Sequence, residues 1–263
     1  MAWAVHRLNV GWNASLRVVA WGGCAALLTI VVLALAGYAM VAGALRSGVF
    51  ASPSTSAGTA RFADFGAVTP SADARHVADW VADSRNSNGT DFVIVDKKYA
   101  RLYVFDGNAR LRGAAPVLLG VARGDDSVPG IGLRPIEAVL PEERTTPAGR
   151  FVAERGHNAR GEDVVWVNYD DAVSIHRVLV TNTEERRLER LATATVEDNR
   201  ISYGCINVPV AFYESHIRPM FATRRAVVYI LPEIKAVRQV FGSYDVAAAY
   251  RAANPPVSAA PAD

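Results

Sequence analysis

The sequence predicts a mostly β domain of the sandwich or barrel type, with a few helices and a transmembrane helix in front of it. Between residues 91 and 232, short runs of β-branched and aromatic residues are separated by turn residues. This pattern is typical of sandwiches and barrels rather than of parallel βαβ sheets. Upstream, residues 18–45 form a run of 28 residues without a charged side chain. The chain therefore combines an apolar anchor with a β-rich domain.

The apolar run is long enough to cross a bilayer, because a helix rises about 1.5 Å per residue and the hydrocarbon core is about 30 Å thick. His6, Arg7 and Arg17 precede it, whereas only Arg46 follows it closely. This excess of positive charge favours a cytoplasmic N-terminus, with the rest of the chain on the periplasmic or extracytoplasmic side. We therefore expect a single-pass protein of the inner or cytoplasmic membrane. A cleaved signal peptide is the alternative, since residues 42–44 resemble a small-residue cleavage site.

Composition divides the chain into six segments. A stretch rich in Ser, Gly and Ala after the apolar run predicts a flexible linker. Residues 69–84 predict an accessory helix with Pro70 in its first turn and with Val77 and Trp80 on its packed face. Residues 237–248 are expected to form a weaker terminal helix. The predicted segments are a cytoplasmic N-terminus (1–17), the anchor or uncleaved signal (18–45), the linker (46–70), the accessory helix and loop (71–90), the β domain (91–232), and a C-terminal helix with a disordered tail (233–263).

Charge and cysteine content narrow the function further. The formal net charge is +2, and the arginines are interspersed with acidic residues, which argues against nucleic acid as a partner. Of the two cysteines, Cys24 lies in the apolar run and Cys205 in the β domain, so they are not expected to pair. An unpaired thiol in an oxidising compartment is a liability unless it is buried or used. The role of Cys205 is therefore the main question.

A catalytic thiol needs a neighbouring base, because free cysteine has a pKa near 8.5. His176 ends the strand-like run "DDAVSIH", where a rigid sheet edge fixes its position, whereas His157 lies in a charged, Gly-rich loop and His216 on a helix. Gly204 permits a tight turn directly before Cys205. The backbone N–H groups of these two residues are expected to converge on an oxyanion. The alternative is a thiol that only packs in the core.

Several ordered motifs resemble those of a known family. The stretches "SIHR" (174–177) and "ISYGCINVP" (201–209) resemble the catalytic signature of the L,D-transpeptidase family, in which a histidine precedes a Ser/Thr-x-Gly-Cys-Ile/Val-Arg/Asn block. The turn "TTPAGRF" (145–151) and the closing strand "AVVYIL" (226–231) are similar to the family as well. The resemblance covers roughly residues 91–232.

The resemblance implies a mostly β cysteine acyltransferase that acts on peptidoglycan stem peptides. It implies that Cys205 is the nucleophile and His176 the base, with the backbone carbonyl of Arg177 orienting the imidazole. The other matched positions are implied to support the oxyanion and the catalytic turn (Ser202, Tyr203 and Gly204) or to bind substrate (Asn207).

The implied reaction breaks the bond between the L-centre of a diamino acid and a terminal D-alanine. The acyl group passes to an amine of a neighbouring stem peptide, which forms a 3-3 cross-link in the cell wall, with consequences for cell shape. The resemblance also implies sensitivity to carbapenems. No cofactor or metal is expected, since the isolated histidines and cysteines lack ligand spacing. The alternatives are an L,D-carboxypeptidase that uses water, and a catalytically silent peptidoglycan-binding protein.

Three features depart from the family pattern. Tyr203 stands where many members carry a second histidine, and Arg177 is bulky where a small residue often follows the first histidine. In addition, 29 positions separate His176 from Cys205, and the charged residues 182–199 fill the excess. This insertion predicts either a lid or subsite wall beside the cleft, or a plain solvated helix.

Overall fold

The computed structural model describes residues 59–255, and this part of the chain is mostly β. Its strands are β1 (Phe92–Asp96), β2 (Arg101–Phe105), β3 (Leu111–Pro116), β4 (Leu119–Gly120), β5 (Gly149–His157), β6 (Asp163–Asn168), β7 (Val173–Arg177), β8 (Arg200–Ser202), β9 (Ile206–Val208) and β10 (Ala226–Ile230).

The helices lie at the two ends of the described region and between the later strands. They are α1 (Ala72–Ser84), α2 (Arg187–Ala192), α3 (Val210–Phe212), α4 (Arg218–Met220), α5 (Val237–Phe241) and α6 (Val246–Ala253). A π-helical turn, Tyr213–Ile217, joins α3 to α4 without a break. Short 3₁₀ turns cover Ile131–Leu133, Ile136–Ala138, Pro141–Glu143, Thr183–Glu185 and Val196–Asn199.

Eight strands form one sheet in the order β3-β2-β1-β10-β5-β6-β7-β9, while β4 and β8 form a separate pair. The β1–β10, β7–β9 and β4–β8 pairs are parallel, and the other neighbours are antiparallel. A bridge between Leu118 and Asn207 links the small pair to the edge of the large sheet. The predicted mostly β, barrel-like domain with a few helices is therefore confirmed.

The central strands β1 and β10 are covered on both faces. All five residues of each strand are buried, and successive side chains point to opposite faces of a sheet. Val93 and Val228 belong to a first core, which also contains the buried residues of the π-helical turn. Phe92 and Tyr229 belong to a second core, which α1 covers. The runs of apolar residues in these strands follow from this two-sided burial.

The second core corrects the predicted linker of residues 46–70. Phe65 is only 2% exposed and packs edge-on against Tyr103 and Phe105, with ring centroids 5.7 and 5.0 Å apart. The N–H of Asp64 also donates to the carbonyl of Ala109 at 2.9 Å. The end of the predicted linker is therefore packed against the β1–β2 hairpin, because Phe65 contacts the aromatic side chains of β2.

Two helix boundaries differ from the predictions. Pro70 precedes α1 rather than lying in its first turn, because the Ser71 hydroxyl caps the helix by accepting from the Ala74 N–H. The single helix predicted for residues 237–248 is wrong. It is interrupted at Gly242, which adopts a left-handed conformation with φ of 63° and so ends α5.

Several predicted segments lie outside the described residues. These are the cytoplasmic N-terminus, the anchor at 18–45, most of the linker, and residues 256–263 of the tail. Among the helices that the structure describes, none is both long and apolar enough to cross a membrane.

A group of buried charged residues connects the segments that follow β1, β4 and β10. The Lys97 ammonium, with no solvent exposure, lies 3.0 Å from the Asp125 carboxylate and 3.7 Å from that of Glu233. Glu233 also pairs with Arg200 at 2.6 Å. Asp125 accepts three further hydrogen bonds, from the backbone N–H groups of residues 233–235. The charges are thus mutually compensated, as buried charges must be.

Asp125 should stabilise the fold in a pH-dependent way. Burial alone would raise its pKa, but the N–H groups of Lys235 and Glu233 and the Lys97 ammonium lower it to about 2, from 3.8 in an exposed carboxyl. The contribution is therefore complete above about pH 4 and is lost as the pH falls toward 2. Asp125→Asn should lower the free energy of unfolding at pH 7 by on the order of 2 kcal/mol, measured by urea denaturation.

The control is Asp126→Asn, which removes an exposed carboxylate that pairs with Lys235 and should change stability by less than about 0.5 kcal/mol. The difference between Asp125→Asn and the unchanged protein should also shrink when the measurement is repeated at pH 3. Equal losses for the two variants would contradict a special role for Asp125.

Candidate active site

Cys205 lies on a tight turn between β8 and β9. The Ser202 hydroxyl holds this turn, because it donates to the Cys205 carbonyl at 2.6 Å and accepts from the Gly204 N–H at 3.1 Å. Gly204 has φ of 123°, and a Cβ at this position would lie 2.8 Å from the Thr145 carbonyl oxygen. Glycine is therefore required here on both conformational and steric grounds.

The turn rests on the "TTPAGRF" segment. The Thr146 hydroxyl donates to the Gly204 carbonyl at 2.9 Å and accepts from the Gly120 N–H at 2.9 Å. The Thr146 carbonyl in turn accepts from the Lys97 ammonium at 2.8 Å. The buried charged group is thus connected to the turn that carries Cys205 through one fully buried threonine. The sequence motif contains Thr146, but nothing in the pattern indicates its partners.

His176 reaches the turn through the pairing of β7 with β9, which places His176 opposite Asn207. The imidazole Nδ1 lies 2.7 Å from the carbonyl oxygen of Arg177. A carbonyl can only accept, so Nδ1 carries a proton and donates. The other ring nitrogen, Nε2, is therefore the atom available to take the thiol proton.

Cys205 is half-buried, and its sulfur has no disulfide partner within the described residues. It donates to the Ala172 carbonyl at 3.4 Å and lies 3.6 Å from the Ser174 hydroxyl. Burial would raise the pKa of Cys205, but the hydrogen bond and charge of His176, with the contacts to Ser174, lower it below the ordinary value. Burial would lower the pKa of His176, but contact with Cys205 and the Arg177 carbonyl raises it. Both directions favour a thiolate–imidazolium pair.

Asn207 does not occupy the place predicted for it. Its side chain is fully buried, so it cannot contact a substrate as predicted. The amide nitrogen Nδ2 instead lies 3.3 Å from His176 Nε2 and 3.4 Å from the Cys205 carbonyl oxygen. Asn207 therefore connects His176 to the backbone of Cys205 from the buried side.

Tyr203 and Arg177 also have contacts that the sequence does not reveal. The Tyr203 ring is partly exposed and lies under the Arg144 guanidinium, 3.8 Å from its centre, a cation–π geometry. Within residues 59–255, its hydroxyl makes no hydrogen bond to Cys205. The Arg177 side chain is held away from the site by Glu214 at 2.6 Å and Asp163 at 2.9 Å. Its bulk is therefore compatible with a functional His176.

The other described histidines lie elsewhere. His157 is exposed at the end of β5 rather than in a loop, and His216 packs against Phe212 with ring centroids 4.6 Å apart. The His76 ring bonds to Ser243 at 2.9 Å. No group of three or more His, Cys, Asp or Glu residues is arranged to hold a metal ion within the described range.

The insertion at residues 182–199 is not a plain solvated helix. Leu191 of α2 is 7% exposed and packs with Leu118 and Val178 in a small third cluster. The buried Asn199 donates to the Val117 carbonyl at 3.0 Å. From the same segment, Arg187 reaches the site and donates to Asn207 Oδ1 at 2.6 Å. These contacts favour the wall-like interpretation of the insertion.

Comparisons with known proteins found structural matches only. No protein-family model and no curated protein matches the sequence. The helical cell shape determining protein Pgp2 from Campylobacter jejuni is 15% identical with a TM-score of 0.37, and the match covers 56% of this chain and 49% of that one. The chain thus spans about half the length of the Pgp2 structure.

Other matched structures are L,D-transpeptidases. The catalytic domain of the Enterococcus faecium enzyme is 15% identical with a TM-score of 0.29, over 54% of this chain and 98% of that domain. An L,D-transpeptidase from Mycobacterium smegmatis is 13% identical with a TM-score of 0.31, over 53% and 58%. This is the family that the sequence motifs resemble.

Gly204→Ala should distort the turn that carries Cys205. The added methyl group would lie 2.8 Å from the Thr145 carbonyl oxygen, and the φ of 123° at this position is unfavourable for alanine. We expect a loss of about 1–3 kcal/mol in the free energy of unfolding, with reduced reactivity of Cys205 toward iodoacetamide. Gly161→Ala is the matched control. Gly161 also has a positive φ, of 77°, but nothing lies within 4 Å of the added Cβ. Similar effects of both substitutions on Cys205 would contradict the steric explanation.

Cys205 should be alkylated by iodoacetamide at a pH below that expected of a free thiol. Its reaction rate should rise with a midpoint below about pH 8.5, because His176 stabilises the thiolate and lowers the pKa of Cys205. His176→Asn should move the midpoint upward and slow the reaction at pH 7 by about tenfold or more. Mass spectrometry of the Cys205 peptide separates this reaction from that of Cys24. His216→Asn is the control and should leave the profile unchanged; a normal midpoint in the unchanged protein would refute the ion pair.

Proposed function

We propose that this chain is a cysteine acyltransferase of the L,D-transpeptidase type that acts on peptidoglycan stem tetrapeptides. The observation that carries the proposal is the position of Cys205 directly before β9, beside the strand β7 that carries His176, whose imidazole Nδ1 is fixed by the Arg177 carbonyl at 2.7 Å. The lowered pKa of Cys205 and the raised pKa of His176, each caused in part by the other group, support the same pairing. A nucleophile, its base and an orienting group in this order are the arrangement that activates a thiol for attack on a carbonyl.

In the first half of the reaction, the Cys205 thiolate attacks the carbonyl that joins the L-centre of the diamino acid to D-alanine. The tetrahedral intermediate collapses as the imidazolium of His176 gives a proton to the leaving amine. D-alanine departs, and a thioester links the stem peptide to Cys205. In the second half, the neutral imidazole takes a proton from an attacking amine, which forms the cross-link and frees the thiol.

The oxyanion would be held by one backbone donor rather than by Tyr203. The Gly204 N–H is already occupied by the Ser202 hydroxyl at 3.1 Å, so the predicted pair of donors at residues 204 and 205 is reduced to the Cys205 N–H. One such donor is typically worth about 3 kcal/mol of transition-state stabilisation. Tyr203 instead lies against the Arg144 guanidinium, whose central carbon is 3.8 Å from the ring centroid.

The predicted location completes the proposal. A single-pass anchor at residues 18–45 would hold the domain on the periplasmic or extracytoplasmic side, close to its polymeric substrate at high effective concentration. Carbapenems present a strained β-lactam carbonyl. The Cys205 thiolate can attack it, which opens the ring and leaves Cys205 acylated as a thioester, in the same way as with the stem peptide. The cross-links formed by this reaction would contribute to cell-wall synthesis and to cell shape.

The test is turnover of purified muropeptides. The full chain, incubated with disaccharide tetrapeptides, should release D-alanine and form a cross-linked dimer, both identified by mass spectrometry. Cys205→Ala and His176→Ala should each reduce turnover by at least about 10³-fold while the circular dichroism spectrum is unchanged. Cys24→Ala, which removes the other thiol, should have no effect.

The outcomes separate the alternatives. Release of D-alanine without a dimer identifies a carboxypeptidase that uses water. No release, together with no carbapenem adduct on Cys205, identifies a silent binding protein and overturns the proposal. D-alanine release by Cys205→Ala would show that the reaction does not depend on this thiol.

A further inference from the structure

One arginine of the insertion at residues 182–199, Arg187, is connected to His176 through the side chain of Asn207. Arg187 of α2 is only 13% exposed, although it belongs to a highly charged stretch. Its Nη1 donates to Asn207 Oδ1 at 2.6 Å, and its Nε donates to the Glu185 carboxylate. Asn207 in turn contacts the imidazole of His176. A continuous chain of contacts therefore runs from the insertion to the base.

Arg187 decides which end of the Asn207 amide faces His176. An arginine can only donate, so it selects the amide oxygen. The NH₂ group is thereby directed to His176 Nε2 at 3.3 Å and to the Cys205 carbonyl at 3.4 Å. Because Asn207 is fully buried, rotation of its amide would leave the guanidinium facing an NH₂ group with no water to compensate.

An NH₂ group beside Nε2 favours the unprotonated nitrogen, because a donor cannot bond to an N–H. The charge of Arg187 acts in the same direction and lowers the pKa of His176, whereas burial lowers it more strongly and the thiolate of Cys205 raises it. Glu185, paired with Arg187, reduces the effect of this charge. From its own strand, Arg177 faces the ring with a carbonyl only.

We propose that Arg187 is a positioning residue, which holds the Asn207 NH₂ group toward His176 and thereby favours return of the imidazole proton to the leaving amine. An acid that holds its proton less tightly gives it up more readily in the transition state. The catalytic consequence rests on the proposed function, whereas the effect on the protonation of His176 does not.

The insertion is held in place by residues other than Arg187. Leu191 anchors α2 against the small third cluster, and Arg190 donates to the Asp198 carbonyl at 3.0 Å across the segment. These contacts do not involve the Arg187 side chain. Removal of its guanidinium should therefore leave the segment folded and change mainly the environment of Asn207 and His176.

Direct titration of His176 tests the proposal without any substrate. The full chain contains five histidines, so ¹³C-labelled histidine gives a simple NMR spectrum, which His176→Gln assigns. The measurement is made in detergent micelles, in a Cys205→Ala background that removes coupling to the thiol. Arg187→Met should raise the titration midpoint of His176 by about half to one pH unit. Arg187→Lys, which keeps a donor and a charge, should restore most of the original value.

Arg186→Met is the matched control. Arg186 is the preceding residue in the same insertion and carries the same charge. Among the described residues its one ion pair is with exposed Glu189, so its removal should leave the His176 midpoint unchanged. An unchanged midpoint in Arg187→Met, or an equal shift in Arg186→Met, overturns the proposal. If Arg187→Met lowers the Tm, Arg187→Gln provides a second neutral variant for the same titration.

Turnover provides the second readout. With Cys205 present, Arg187→Met should lower kcat for D-alanine release by about tenfold while KM changes by less than about threefold. Arg187→Lys should recover most of the activity, and Arg186→Met should match the unchanged protein. A protein that never turns over muropeptides refutes the proposed function, and the titration then still decides the role of Arg187. An active protein in which Arg187→Met is fully active refutes the catalytic part of the inference alone.

Discussion

The parallel pairing of β7 with β9 is the constraint on which the whole site depends. It sets Ile175 beside Ile206 and His176 beside Asn207, and both isoleucines are fully buried in the first core. Because side chains alternate along a strand, a slip of one residue would turn His176 into the core and Ile175 outward. The packing of two isoleucines thus fixes His176 relative to Cys205, which lies one residue before β9.

Much of this site could be predicted from the sequence, because the signals are local. Gly204 and Cys205 are adjacent, and His176 ends a run whose alternation indicates a strand. The orientation of His176 needs only a neighbouring carbonyl, which any residue supplies. The mostly β fold could also be predicted from the sequence, because runs of β-branched residues separated by turn residues indicate strands.

The remaining features depend on contacts between distant segments, which no local pattern encodes. Thr146 meets Gly204 across 58 positions and Lys97 across 49. Asn207 looks like a polar residue near a cleft, yet the Leu118 bridge and the insertion bury it. The predicted linker failed for the same reason, because Phe65 gains its environment from the β1–β2 hairpin far along the chain.

The two-sided burial of β1 and β10 has a consequence for how this protein can evolve. All side chains of these strands except the hydrogen-bonded Asp96 face one core or the other, so neutral drift at those positions is limited to apolar replacements of similar volume. On β5, by contrast, most positions are at least partly open to solvent and can diversify. Lineages descended from this chain should therefore diverge fastest along that strand, while the centre of the sheet preserves a record of common ancestry.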